Sequence, residues 1–522
     1  MALFQLREVL FSPRILALCF SVYLIVGVLY RIFFHPLRKI PGPWYAAATY
    51  WYEFYQDVIL NGNYIKEYPD LHAKYGPVVR VSPSRVHVSD PDYFKEAYGS
   101  GTKYIKDPDF FQSAGGIKHS IIMLIDPEVH KERKNTVQSL FSTKHVEHLA
   151  PVVLDVVQRA MAKAQRALKN DQPINLQPFY QCITVGYTSV QLHDRNIELQ
   201  GVICGLLRLQ LNFVDSDEDE PPFLSLLGKF VDKFFLTKHF PMISHIAMSL
   251  PLSVARTVLP SYVAFREQCA TWIKEDEEKQ RNGKRIADGR KTYFDLLLEA
   301  EKTKRLHKLG QEALVDEALS VCFGGTDTNS IALSFGTYFL LRNPNKLQKM
   351  LDELKDAPTN MDGLYEYHTV SKLPYLTAVI KEILRPGSPV PGIIPRRVPA
   401  GGASVGGHYL PEGTTVSQAL RLINVNSDVY SEPERFIPER WLGKAGWDLE
   451  KYFVPFSKGP RACIGVNIAY LELYVCFANL FGRFEMELFE TNESTLKWVD
   501  NGVTRLLKPM KVKIKSIRGV SQ

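Results

Sequence analysis

The chain has 522 residues, of which 45% are hydrophobic, and a net charge of +7. That apolar content supports a large core, and length alone suggests about three domains. The modest charge, not gathered into a basic block, excludes a nucleic-acid binder of the usual electrostatic kind, and seven irregularly spaced cysteines exclude a disulfide framework or a paired C-x-x-C metal site.

Ile15 to Tyr30 is uncharged throughout, Arg14 and Arg31 can snorkel at its ends, and Ile32-Phe33-Phe34 extends its apolar reach. The stretch is just long enough for one membrane span, with a buried core helix as the alternative. No small-residue cleavage site follows, so a removable signal peptide is not expected. Arg31, His35, Arg38 and Lys39 on its C-terminal flank place the body of the chain on the cytosolic side. Pro41-Gly42-Pro43-Trp44 then forms a stiff break. Val78–Val81 and Val86–Val88 alternate around Ser82-Pro83-Ser84, a hairpin pattern. From Tyr104 to Leu124 the pattern is irregular, apolar-rich and interrupted by Gly115-Gly116, which reads as a loop.

Asp126-Pro127 opens a helix on which His130 and Lys134, four apart, share a face. Taken alone, His130 to Lys134 is a solvated charge run. Residues 150–300 are expected to be mostly helical, with an acidic loop at Asp215–Glu220 and a charged surface run at Glu275–Arg290. No Gly-rich dinucleotide or flavin fingerprint is present, so the chain has no reductase module of its own.

Glu312 to Arg342 is a long, mostly apolar helix pattern that carries Gly324-Gly325-Thr326-Asp327-Thr328-Asn329 inside it. Each Gly costs about 1 kcal/mol relative to Ala, and a buried Asp needs partners. The stretch therefore predicts a local defect in the helix, of the kind that marks a site. The bland alternative is a Gly kink with Thr328 bonding back to its own helix.

Leu373 to Arg385 is an amphipathic helix ended by Pro386, with Glu382 and Arg385 three apart. The E-x-x-R pattern also occurs at Glu278/Arg281 and Glu432/Arg435, but only Glu382 lies in an apolar helix, where its charge needs buried partners. Period-two runs at Phe484, Met486, Leu488 and at Met510, Val512, Ile514 predict a small antiparallel sheet, with a turn near Asn501-Gly502.

The stretch Phe456 to Gly465 reads F-x-x-G-x-R-x-C-x-G and precedes another apolar helix pattern. A thiolate at a helix start is stabilised by the dipole and free N–H groups. Glycines let the backbone approach a flat ligand, and Arg461 supplies a fixed charge for a carboxylate. The set suits a haem, with Cys463 as axial thiolate and Arg461 on a propionate. The alternative is a buried structural cysteine.

This loop resembles the haem-binding signature of the cytochrome P-450 family. The run Val454 to Tyr474 is similar to fungal microsomal members, with a trichodiene-oxygenase-like flavour. The resemblance covers nearly the whole chain and implies a mainly α fold with small β-sheets. One N-terminal transmembrane helix, residues 1–36, would precede one catalytic domain, residues 37–522. The resemblance further implies heme b, bound through Cys463 as the metal ligand, with Phe456, Arg461 and Gly465 in the same loop. His130 and Lys134 would face the propionates, although the family usually has Arg at the second position. Arg396 would meet a propionate too, with Arg397 as the competing choice. Asp327 and Thr328 fall on the acid–Thr pair of the oxygen groove. Thr328 would hydrogen-bond bound dioxygen or an ordered water, and Asp327 would relay protons; Asn329 stands where Thr or Ser is common. Glu382, Arg385 and Arg440, in Phe436-Ile437-Pro438-Glu439-Arg440-Trp441, would form a structural triad.

The expected activity is therefore oxygenation of a hydrophobic small molecule at the endoplasmic reticulum membrane. Electrons would come from NADPH through a separate cytochrome P-450 reductase, for which Lys131 and Lys458 are candidate contacts. The resemblance points to a fungal terpenoid or polyketide substrate in a pocket of Phe110, Phe111, Ile121, Phe323, Val390, Ile393 and Ile394. Two alternatives stay open: a haem-thiolate isomerase or dehydratase, which tends to lack the acid–Thr pair, and a non-catalytic haem-containing lipid-binding protein.

Overall fold

Ser12 caps the first helix, α1 (Pro13–Leu29), by accepting from the Ile15 N–H, and Pro13 presets its first turn. The structure is a computed structural model that describes residues 12–113, 116–185, 190–192, 195–197, 213–215, 221–232, 234–240, 242, 250–281, 291–303, 306 and 309–519. Gly115, residues 216–220 of the expected acidic loop and 282–290 of the expected charged run lie outside them. A π-turn at Tyr30–Phe34 prolongs α1. The apolar stretch Pro13–Phe34 is long enough to cross a membrane, and none of it is buried, which rules out the core-helix alternative.

The elements used below follow in chain order: β1 (Val78–Arg80), β2 (Arg85–Val88), β3 (Ile105–Lys106), α2 (Pro127–Val137), α3 (Thr143–Lys169), β4 (Ile174–Asn175), α4 (Leu176–Val185), α5 (Pro260–Arg281), α6 (Gln311–Arg342), α7 (Pro374–Gly387), β5 (Arg396–Arg397), β6 (Thr415–Ser417), α8 (Val466–Arg483), β7 (Phe484–Phe489), β8 (Trp498–Asp500), β9 (Thr504–Leu506) and β10 (Lys511–Ile517). They divide between two compact units.

One unit comprises residues 1–97, 103–107 and 393–418. Its core is a five-stranded sheet in the order β1-β2-β6-β5-β3. The valine hairpin read from the sequence pairs antiparallel, Val79 opposite His87. β6 joins β2 in parallel, with Val416 opposite Val86. Val78, Val79, Val86, Val88 and Val416 are buried, and the Arg85–Glu53 ion pair is buried with them.

The second unit comprises residues 98–102, 108–392 and 419–522 and is mainly helical. α6 is its axis, packed by α4, α5, α7 and α8. At Gly336 a Cβ would lie 2.3 Å from the Phe477 ring and 2.7 Å from Ile383 Cδ1, so only glycine lets α6 approach α7 and α8 this closely. The period-two runs form β7 and β10, antiparallel, with β4 on the far edge of β10. Asn501-Gly502 turns the β8–β9 hairpin.

Two expectations are corrected. α7 does not stop at Pro386 but runs to Gly387, because a proline in the last turn removes only one terminal hydrogen bond. α6 is unbroken from Gln311 to Arg342, so Gly324-Gly325 makes no defect in the backbone.

Candidate active site

The helix accommodates its polar stretch because the buried polar side chains there find partners on neighbouring helices or on carbonyls of their own helix. Gln181 Nε2 on α4 donates to Asp327 Oδ1 across 2.5 Å. The Asn329 amide donates to Glu472 on α8. Thr326 and Ser330 bond back to Cys322 O and Asp327 O, and Thr184 donates to Thr326 O. Thr328 likewise donates to Gly324 O, at 2.9 Å, which is the back-bonding alternative weighed above. The Thr328 oxygen keeps its acceptor sites.

Within this buried helix, Val321, Gly324, Gly325 and Thr328 remain partly accessible. At about 3.6 residues per turn they form one stripe. Asp327 and Asn329 flank it, on the α4 and α8 sides respectively. A Cβ at Gly324 would meet only Ile122 Cδ1, 3.9 Å away. The stripe therefore faces a hollow that the glycines leave open.

The loop before α8 supplies the thiol. Cys463 N donates to Phe456 O at 2.9 Å, which closes the loop. Gly465, the residue before α8, bonds the Cys463 sulfur through its backbone. Cys463 is accessible, yet protein crowds its sulfur. Burial pushes the thiol up, while the Gly465 N–H and the Lys134 charge pull it down. The Phe456 ring lies 5.5 Å from that of Tyr470.

The lysines and arginines expected at the site each meet the backbone or an acid. Arg461 donates to Leu124 O and Ile125 O, both at 2.7 Å, and to Asp126 O. Lys134 reaches Pro460 O at 3.0 Å, which joins α2 to the thiol loop. His130 is buried on α2, and the neighbouring Arg133 turns inward to Glu317. Arg396, in the other unit, donates to Ile394 O and Pro395 O, whereas its competitor Arg397 is ion-paired with Asp107. Lys458 donates to Glu450 O and Lys451 O; Lys131 is exposed beside Glu128.

Glu382, Arg385 and Arg440 are brought together. Arg385 grips Glu382 with Nε at 3.0 Å and a second nitrogen at 2.8 Å. Arg440 Nε, Trp441 Nε1 and Ile437 N–H complete the carboxylate's shell. Of the competing patterns, Glu432–Arg435 is an exposed pair and Glu278 is exposed. Of the expected pocket residues in this unit, Phe323 and Val390 stay partly accessible, whereas Phe110, Phe111 and Ile121 are buried.

The cytochrome P450 family model matches residues 50–514. The chain belongs to the cytochrome P450 family. It is 46% identical over 500 residues to cytochrome P450 monooxygenase BOT1 of Botryotinia fuckeliana, across 95% of this chain and 94% of that one. It is 36% identical over 508 residues to cytochrome P450 monooxygenase ankB of Aspergillus thermomutatus, across 96% and 93%. Cytochrome P450 monooxygenase phqM of Penicillium fellutanum is 35% identical over 490 residues, across 92% and 88%. This P450 is a monooxygenase of the fungal type.

The family implies a haem-thiolate centre, and the residues fit one. The same unit offers an accessible soft sulfur donor and, on α6, a partly accessible glycine stripe. Lys134 and Arg461 bring positive charge to the loop beside it.

The sequence reading missed Gln181 and the acidic pair Asp316-Glu317, all buried. Each is a polar residue inside an apolar helix pattern, and that was the available signal.

Proposed function

We propose that this P450 hydroxylates or otherwise oxidises a hydrophobic small molecule, a terpenoid or polyketide intermediate of fungal secondary metabolism. The observation that supports the reading is an accessible Cys463 in a chain of this family whose helix α6 keeps Gly324, Gly325 and Thr328 partly accessible. Heme b, when bound, supplies oxygen activation at a thiolate-ligated iron. Cys463 would be the ligand; burial raises its thiol, and the Gly465 N–H and the nearby Lys134 oppose that rise. His130, Lys134, Arg396 and Arg461 hold the propionates, and Phe456 and Gly465 shape the loop. Thr328, already donating to Gly324 O, accepts a hydrogen bond from water in the groove. Asp327 holds a proton beside it, with Gln181 fixing one of its oxygens. Glu382, Arg385 and Arg440 keep the helix behind the loop in place.

Electrons come from NADPH through a separate reductase. Residues 1–36 anchor residues 37–522 to the cytosolic face of the endoplasmic reticulum; the unburied helix α1 supports this. The acid–Thr pair favours oxygenation over the isomerase and lipid-binding alternatives.

The reduced carbon-monoxide spectrum tests the ligand. The wild type should show the red-shifted thiolate band, and Cys463→Ser should lose it. An unchanged band in the variant overturns the assignment. NADPH consumption with purified reductase, with products profiled by mass spectrometry, separates oxygenation from the alternatives.

A further inference from the structure

Two neighbouring acids on α6, Asp316 and Glu317, are fully buried, and Glu317 lies one turn before Val321 on the same helix face. Both hold the backbone of one segment. Asp316 Oδ2 accepts the His119 N–H and Glu317 Oε1 accepts the Ile121 N–H, each at 3.0 Å. Each acid has its own arginine: Arg266 of α5 at 2.5 Å from Asp316, and Arg133 of α2 on Glu317. Each arginine site also has a tyrosine. Tyr262 OH accepts from Arg266 and donates to Gly116 O at 2.7 Å. Tyr293 OH donates to Glu317 Oε2 at 2.9 Å.

The same segment is held at its other end by Arg461, through the carbonyls of Leu124 and Ile125. Between the two holds, Ile117, Ser120, Ile121 and Met123 are buried, while Ile122 is about a third exposed, at 36%. Ile122 Cδ1 lies over the open space at Gly324. The position of Ile122, and so the depth of the hollow, is thus set by two amide bonds to buried carboxylates. A carboxylate that also holds an arginine is a strong, directional acceptor, so the segment is fixed in register rather than merely packed.

We propose that Asp316 and Glu317 are positioning residues that latch residues 116–122 over the glycine stripe and thereby limit the bulk of the ligand that can reach the open space at Gly324. This rests on the haem-thiolate reading and adds what sets its specificity. Neither acid touches the ligand; both act through the backbone of His119 and Ile121.

The test uses the full-length, haem-loaded protein with Asp316→Asn and Glu317→Gln, two substitutions that keep volume but remove the ion pairs. Two quantities are read: hydrogen exchange of the peptide spanning His119 to Ile121, and the Kd for imidazole and 4-phenylimidazole from their Soret shifts. The latch predicts exchange about fivefold faster or more in that peptide. It also predicts a change of about threefold or more in the ratio of the two Kd values, with imidazole itself bound as in the wild type. Unchanged exchange overturns the latch. Faster exchange with an unchanged ratio overturns its role in specificity. Should neither acid variant hold haem, Tyr262→Phe removes only the tie to Gly116 O and is judged by the same two readouts. A wild-type protein lacking the thiolate band would count against the haem-thiolate reading instead, because exchange at His119 and Ile121 reports the latch independently of it.

Discussion

Gln181 on α4 holds Asp327 on α6 by one oxygen, and the other oxygen, Oδ2, is buried without a partner among the described residues. Burial pushes the carboxyl up, and the Gln181 amide pulls it down by favouring the charged form. The acid is therefore poised by its neighbour, to one side of the groove it is proposed to serve. Asp327→Asn should retain the haem spectrum yet slow product formation by about tenfold to a hundredfold, with a changed solvent isotope effect. Gln181→Leu removes the donor to the carboxylate, so the Asp327 carboxyl should rise and the alkaline limb of the pH–rate profile, where its proton is lost, should move to higher pH. A profile that stays in place in Gln181→Leu would show that the contact is packing only.

Thr328 lies in the accessible stripe and spends its proton on Gly324 O. Thr328→Ala removes that one bond from an intact helix, at a cost of about 1 kcal/mol, so folding and haem loading should survive. The lost acceptor disorders groove water. NADPH consumption should continue, with more hydrogen peroxide and less product per NADPH. Full coupling in the variant would take Thr328 out of the proton path. Asn329 does not soften this effect, because its amide is committed to Glu472.

How much of this was legible depended on distance along the chain. The thiol loop was readable because Phe456, Gly459, Arg461, Cys463 and Gly465 lie in one decapeptide. α6 was readable from its apolar pattern. The partner of Asp327 was not, since Gln181 lies 146 positions away and only folding joins them. The inward turn of Arg133 was not legible for the same reason. Spacing of four placed Lys134 beside His130, but Glu317, 184 positions from Arg133, decides which basic side chain turns inward. The expected defect in α6 was drawn from glycine propensity and the cost of a buried Asp, and lateral partners on α4 and α8 offset that cost.

Glu382 is fully buried and holds two arginines, an indole N–H and a backbone N–H. Removing the carboxylate leaves Arg385 and Arg440 charged and uncompensated, which costs about 3–5 kcal/mol. Glu382→Ala should accumulate little haem-loaded protein. Glu432→Ala breaks the exposed pair with Arg435 and should shift stability by less than about 1 kcal/mol. Thermal unfolding and haem yield of the two variants, side by side, check this; similar losses would contradict the structural role given to Glu382.

Glu472 gives the fold a pH dependence that one substitution can isolate. Its carboxyl is buried on α8, and burial raises it from 4.5 to about 8, with the Asn329 amide opposing. The folded state thus keeps the proton that the unfolded chain releases near pH 4.5. Between those values the folded state binds more protons, so stability is full below about pH 4.5 and falls as pH rises towards about 8. The slope from this group is at most ~1.4 kcal/mol per pH unit. Glu472→Gln is neutral throughout, and its amide oxygen can still accept from Asn329. The variant should match the wild type at pH 5 and exceed it increasingly at pH 6.5 and 8. Urea unfolding of both proteins at the three pH values measures the difference, in which other titrating groups cancel. Parallel curves would mean that Glu472 is ionised in the fold, with the Asn329 amide and its surroundings stabilising the charge.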